Sequence, residues 1–237
     1  MNISQTIAIV TGASSGLGTA ICTALIEKEA MVYGLARNTK ALEALTGKLG
    51  ERFVSVSMDL SDQAAVQKWV KETFSTSKAP NILINNAGLG SFGKIDEIPA
   101  AEWLGMINTN LNGLYYITSQ VVPLLKSQKN GAHIVNIGSI LGKVGRAEGA
   151  AAFPTKFGIQ GFSEALSKEL RSHGIKVTCL NPGSIDTGFF KSSGIEAHHN
   201  MLQPQALADT VVHVLETPDN MLISEMTIRP LNPKPPE

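Results

Sequence analysis

The stretch Ile7-Ala8-Ile9-Val10-Thr11-Gly12-Ala13-Ser14-Ser15-Gly16-Leu17-Gly18 decides how this chain is read. Its first four residues are apolar, and three of them are β-branched, which suits a short buried strand. The strand runs without a linker into a turn carrying Gly12, Gly16 and Gly18. Beyond the turn, Leu17, Ile21, Ala24 and Leu25 recur at helical spacing. A strand, a glycine turn and a helix in immediate succession aim backbone N–H groups and the positive end of a helix at a phosphate. Gly12 permits the tight exit from the strand, Gly16 removes a side chain where a pyrophosphate approaches, and Gly18 lets helix and sheet pack closely. Ser14, Ser15 and Leu17 fill the turn between them. The expectation is a dinucleotide held at this turn.

Working outward, short apolar runs alternate with stretches of helical period. Strands are expected at 6–10, 31–36, 52–57, 81–85, 132–138, 175–180 and 222–228. Between them, Val66, Trp69, Val70 and Phe74 form a helical stripe behind Ser61 as expected N-cap. Phe162, Ala165, Leu166 and Leu170 form another, in a helix that Gly174 ends. This βαβα alternation gives an α/β fold: a doubly wound, Rossmann-type, seven-stranded parallel sheet with helices on both faces. One domain over 1–237 is expected, with 230–237 as an extended, proline-rich tail.

Composition narrows the function. Hydrophobic residues make up 43% and charged residues 17%, a globular balance. Twenty basic residues offset twenty acidic ones, so no long-range field draws nucleic acid or an anionic membrane. Cys22 and Cys179 lie in apolar runs and read as buried free thiols, which fits a reducing compartment. With no signal-peptide pattern and no apolar run of membrane-spanning length, the cytoplasm is the expected location. His198 and His199 are adjacent and lack the i, i+4 spacing of helical ligands, so no metal site is expected.

The spacing Gly-x-x-x-Gly-x-Gly after Thr11 resembles the short-chain dehydrogenases/reductases. The resemblance continues through Asn85-Asn86-Ala87-Gly88, Thr109-Asn110-Leu111, Ser139, Lys156 and the run from Pro182-Gly183 to Thr187, in family order over nearly the whole chain. It implies that Asn86, Ala87 and Gly88 flank the cofactor and hold the central strands together. It also implies that Pro182, Gly183, Ile185 and Thr187 wrap the nicotinamide. Asp59, followed by Leu60, matches the carboxylate that caps the adenine amino group, although an aspartate at a helix start explains it as well.

Where an NAD enzyme places a carboxylate for the ribose 2′-hydroxyl, this chain has Ala36 and then Arg37. A guanidinium suits a 2′-phosphate, so NADP(H) is expected over NAD(H). Ser15 departs from the arginine that many NADP enzymes carry within the glycine turn.

The resemblance implies carbonyl reduction by four groups. A serine orients the substrate oxygen, a tyrosine donates its proton, a lysine lowers the tyrosine pKa and holds the ribose, and an asparagine anchors a water chain. Ser139, Lys156 and Asn110 take three of these places. The tyrosine belongs one helical turn before the lysine, and counting back four residues from Lys156 gives Ala152. Tyr115 and Tyr116 lie on the wrong turn to replace it. Three readings stand: a tyrosine replaced by design to disable catalysis, a natural relative without turnover, or an enzyme with another proton source. The retained remainder of the machinery favours the first.

The expected function is therefore an NADP(H)-dependent carbonyl reductase or alcohol dehydrogenase scaffold. Its substrate is a small or medium ketone, aldehyde or 3-oxoacyl thioester, and turnover is impaired at Ala152. The alternative is an NADP(H)-binding sensor or scaffold protein. Residues 188–203, with Phe189, Phe190 and Ile195, are expected to form an apolar substrate lid. Helices around 100–126 and 152–173 are more apolar than one sheet face needs, and by resemblance they join subunits into a homodimer or homotetramer.

Overall fold

The computed structural model describes residues 1–145, 147–188 and 197–234. Seven parallel strands form one sheet: β1 (Ile7–Thr11), β2 (Met31–Ala36), β3 (Phe53–Ser57), β4 (Ile82–Asn85), β5 (Ala132–Ile137), β6 (Ile175–Pro182) and β7 (Glu225–Ile228). Their order is β3-β2-β1-β4-β5-β6-β7. The order reverses beside β1, which pairs with β2 on one edge and β4 on the other, with Ala8 opposite both Val32 and Ile82. A ligand crevice is expected outside the carboxyl ends of the strands at such a reversal.

Helices cover both faces. On one side, α1 (Gly16–Glu27), α2 (Thr39–Leu49) and α7 (Pro204–Leu215) bury Ile21, Leu42 and Val211 against Ala8 and Val10. On the other, α3 (Gln63–Thr73), α5 (Leu114–Leu125) and α6 (Phe153–Leu170) bury Val66, Ile117 and Leu170 against Ile9 and Leu83. Alternate residues of β1 thus feed opposite cores, as the two-residue period of a strand requires.

The strands stand where the apolar runs place them, to within one or two residues at most ends; β7 begins later, at Glu225. Two local expectations are corrected. The N-cap of α3 is Asp62, not Ser61: its carboxylate accepts the Ala65 N–H at 2.9 Å, while Ser61 turns back onto Asp59. On α6, Ala165 is exposed, and the inward stripe continues through Ser163 and Ser167. Ser163 enters the core because its hydroxyl donates to the Ile159 carbonyl and accepts from Asn136, so it is buried without an orphaned polar atom. The helix ends as expected, with Gly174 in the left-handed region at φ 69° after a 3₁₀ turn.

Cys22 and Cys179 are buried free thiols. Among the described residues no helix is long and apolar enough to cross a membrane. Phe189, Phe190 and Ile195, and the last three residues of the tail, lie outside the described residues.

Candidate active site

The carboxyl ends of the strands open into a cleft of about 620 Å³. Its floor is the glycine turn. Gly12 and Gly16 sit at φ 69° and 53°, the left-handed region that favours glycine. A Cβ on Gly12 would stand 2.9 Å from Ala87 Cα and from Asn86 Nδ2, so β1 and β4 approach through this glycine. A Cβ on Gly16 would stand 2.9 Å from Thr187 Cγ2, which shows that the β6 exit closes directly onto the turn. Gly18 lies behind the wall: a Cβ there would overlap the Gly12 carbonyl oxygen. Ser15 makes no side-chain cap on α1, which leaves the first-turn amides of that helix for a ligand.

Asn86 fastens the two central strands. Its Nδ2 donates to the carbonyls of Thr11 (3.0 Å) and Gly12 (3.3 Å), while Thr11 Oγ1 accepts the Asn86 and Ala87 amides, both at 3.0 Å. The motif after β4 is therefore a clamp across the seam.

At one end the cleft is lined by Ala36, Arg37, Asn38, Asp59 and Leu60. Arg37 is exposed, and among the described residues it forms no ion pair. Asn38 caps α2 by accepting the Ala41 N–H at 3.1 Å. Asp59 Oδ1 accepts the hydroxyl (2.7 Å) and amide (2.9 Å) of Ser61. Those bonds, with the Arg37 charge nearby, hold its carboxyl below the ordinary range.

At the other end stand Ser139, Lys156, Thr109, Leu89, Pro182, Gly183, Ile185 and Thr187. Ser139 follows β5, and its Oγ accepts the Leu141 N–H at 3.1 Å. With that acceptance filled, the hydroxyl proton is directed elsewhere, as a group that orients a substrate oxygen requires. Lys156 projects from the first turn of α6, and its Nζ donates to the Gly138 carbonyl at 3.3 Å. Burial draws its ammonium down to about 8.

Of the four residues singled out for catalysis, Ser139 and Lys156 line the cleft; Asn110 and Ala152 do not. Asn110 sits in a wide π turn, Asn108–Gly113, between α4 (Ala100–Ile107) and α5. Its side chain is 1% exposed and fully engaged. Oδ1 accepts the Leu89 N–H at 2.7 Å, and Nδ2 donates to Leu89 O at 2.8 Å and Thr155 Oγ1 at 3.0 Å. Thr155 Oγ1 donates in turn to the Ala152 carbonyl at 2.9 Å, so Asn110 pins the β4 exit to the start of α6.

Ala152 is 5% exposed and packs in an apolar cluster with Met106, Phe153, Leu89 and Phe92. The rings of Phe92 and Phe153 meet edge-to-face at 6.2 Å, and Gly93 N–H donates to Glu148 O at 2.9 Å, so the two flanking loops are closed over position 152. All the residues singled out for cofactor contact, except Gly18, line the cleft. Lining residues that sequence reasoning missed include Thr109, Asn38, Leu89 and Gly138. Each is adjacent to a residue it named, which is the signal that finds them. Among the described residues no group of three or more His, Cys, Asp or Glu stands together as a metal site.

An elongated cleft crossing the sheet reversal, with an uncapped helix N-terminus at its centre, a cation at one end and a hydroxyl–ammonium pair at the other, fits a dinucleotide. Comparison with known proteins agrees. The family model described as short chain dehydrogenase matches residues 6–197. An uncharacterized oxidoreductase of Staphylococcus aureus (strain MW2) is 32% identical over 230 residues, 97% of this chain and 99% of the relative. Among solved structures, the closed form of a serine dehydrogenase complexed with NADP+ superposes with a TM-score of 0.87 at 29% identity, covering 93% of each chain. A metagenomic short-chain oxidoreductase in complex with NADP reaches 0.83 at 31% identity, over 98% of this chain and all of that one. The chain belongs to the short-chain dehydrogenase family of oxidoreductases.

Proposed function

We propose that this protein is an NADP(H)-dependent carbonyl reductase or alcohol dehydrogenase scaffold, acting as one domain, in which Ala152 leaves the proton-donor place empty. The observation that carries the reading is the continuous cleft from Arg37 to Ser139 and Lys156.

When bound, the nicotinamide supplies the hydride that reduces a carbonyl carbon. The chain's residues do the rest. Arg37 meets the 2′-phosphate, the glycine turn meets the pyrophosphate, and Pro182 to Thr187 enclose the nicotinamide. Ser139 donates its hydroxyl proton as a hydrogen bond to the substrate oxygen, and Lys156 holds the ribose. No phenol stands by to release a proton. A positioned general acid contributes about 10² to 10⁴ in rate, so NADPH is held well, the alkoxide left by hydride transfer takes its proton from water, and reduced substrate forms slowly. The substrate class is a small or medium ketone, aldehyde or 3-oxoacyl thioester, in keeping with the apolar Leu89 at the Ser139 end. The cytoplasm is the proposed location, and a homodimer or homotetramer the proposed assembly.

The deciding experiment measures NADPH oxidation over a carbonyl panel for this chain and for Ala152→Tyr. Restoring the phenol is expected to raise turnover by at least about tenfold. A second reading is favoured by the burial of Ala152 under Phe92 and Met106: a sensor or scaffold that binds NADP(H) without turnover. No gain in the tyrosine variant, on a substrate shown to bind, rejects the reductase and leaves the sensor.

A further inference from the structure

Between Ser139 and Lys156 lies a single peptide plane. The Gly138 carbonyl accepts Lys156 Nζ at 3.3 Å, and the amide of the same peptide unit, the Ser139 N–H, donates to Asn181 Oδ1 at 3.2 Å. Asn181, on β6, is 1% exposed. Its Nδ2 donates to Gln160 Oε1 on α6 at 2.8 Å, and Gln160 Nε2 donates to Glu225 Oε2 on β7 at 2.9 Å. The other Glu225 oxygen is paired with Lys143. The two ends of this chain fix the sense of every link. A backbone N–H only donates and a carboxylate only accepts, so both intervening amides have one permitted orientation. Cys179 Sγ also donates to Asn181 Oδ1, at 3.5 Å.

Gly138 makes the arrangement possible. A Cβ there would overlap Asn181 Oδ1 and stand 3.1 Å from Cys179 Sγ, so the carboxamide occupies the space that glycine leaves open. We propose that Asn181 is a positioning residue for the reaction. Through the Gly138–Ser139 peptide it fixes both the Ser139 hydroxyl and the Lys156 ammonium, and it is itself braced by Gln160 and the Glu225–Lys143 pair.

The peptide is polarised from both sides. A hydrogen bond accepted from its N–H makes its oxygen a better acceptor, and that oxygen faces the ammonium. Loss of the Asn181 carboxamide therefore has two consequences that simple loss of packing does not share: the peptide is free to tilt, and the ammonium loses part of its stabilisation. This inference rests on Ser139 and Lys156 being the groups that meet substrate and cofactor, so its test needs one readout that works without turnover.

Three variants serve: Asn181→Ala, Gly138→Ala and the two combined. Lys156 is followed by NMR titration of isotopically labelled lysine in the cofactor-free protein, where burial sets a midpoint of about 8 and Cys179 is the other titratable group acting on it. Asn181→Ala is expected to lower that midpoint by about half a pH unit, because the charged form loses a polarised acceptor. In the Ala152→Tyr background it is expected to lower kcat about tenfold with less than about a threefold change in KM for the carbonyl, a loss confined to the chemical step. Gly138→Ala alone is expected to lower Tm by at least about 4 °C through overpacking, and by less than about 2 °C once Asn181→Ala has emptied the space. The double variant keeps the displaced Lys156 midpoint and the low kcat although its packing is relieved. Recovery of both, or an unchanged midpoint and kcat in Asn181→Ala, makes Asn181 a space-filler and overturns the proposal. If Ala152→Tyr shows no turnover, the reductase reading falls, and the Lys156 titration still decides the role of Asn181.

Discussion

Arg37 projects from the end of β2 into solvent at the mouth of the cleft, with its guanidinium free of any ion pair among the described residues. Charge-assisted hydrogen bonds contribute about 1.5 to 3 kcal/mol each, and a phosphate accepts two from one guanidinium. Arg37→Ala is accordingly expected to weaken NADPH binding by about tenfold or more, with NADH changed by less than about threefold. Fluorescence titration with both nucleotides measures this, and equal losses for the two would remove the 2′-phosphate from the account. Asp59 bears on the same end. Tied to Ser61, its carboxyl is held below the ordinary range with the Arg37 charge nearby.

At the scale of elements, the packing of α1 against the β1 exit rests on Gly18, whose missing side chain lets the helix lie on the Gly12 carbonyl. Gly18→Ala drives a methyl group into that backbone oxygen, and overpacking of this kind costs about 1 to 3 kcal/mol. A thermal scan is expected to show Tm lower by at least about 3 °C, with NADPH affinity reduced as well, because the displaced helix carries the first-turn amides proposed to meet the pyrophosphate. An unchanged Tm would mean that helix and strand have room to part.

Most elements were readable because the strands are short apolar runs and the helices carry apolar stripes. Period does not resolve two good caps in a row, so Ser61 and Asp62 were indistinguishable until the Ala65 amide chose between them. It ranks alanine above serine as a core residue, yet Ser163 is inside and Ala165 outside, because a hydroxyl that satisfies itself on the helix backbone can be buried. The glycine turn was legible in full. Asn110 was found by its motif, but its bonding to Leu89 and Thr155 was not, because a π turn leaves no mark on an apolar period. Asn181 gave no signal: a carboxamide on a buried strand acquires meaning only from the neighbours the fold brings to it.

Across the whole molecule, stability carries a pH dependence set far from the cleft. His133 on β5 is 1% exposed, and its Nε2 lies 2.8 Å from Thr178 Oγ1. That hydroxyl gives its own proton to Ile223 O, so Nε2 is the protonated nitrogen and Nδ1 is buried bare. Burial, with Lys176 and the N-terminal ammonium nearby, pushes the imidazole down to about 3 from 6.5. Between those values the unfolded chain binds a proton that the folded chain refuses. Stability from this site is therefore complete above pH 6.5 and is lost as pH falls toward 3, with a slope approaching 1.4 kcal/mol per pH unit. His133→Asn is expected to flatten the fall in Tm between pH 6.5 and 4, and a parallel fall in both proteins would place the acid sensitivity elsewhere.

Assembly is tested at the same scale. Tyr115 on α5 and Phe157 on α6 are 55% and 46% exposed, which suits a helix face shared between copies. Light scattering is expected to give a multiple of 25.2 kDa for the parent and the single mass for Phe157→Glu. A monomeric parent at micromolar concentration would sink the oligomer.

The seam clamped by Asn86 has a further meaning. Ala8 pairs with Val32 across 32 − 8 = 24 positions but with Ile82 across 82 − 8 = 74, more than separates the paired residues of any other two strands in the sheet. Closing that stretch of chain takes the largest entropy toll of all the strand pairings. A dinucleotide bound in the proposed cleft would span this junction, so it is expected to serve the folded chain as a rivet as much as a reagent.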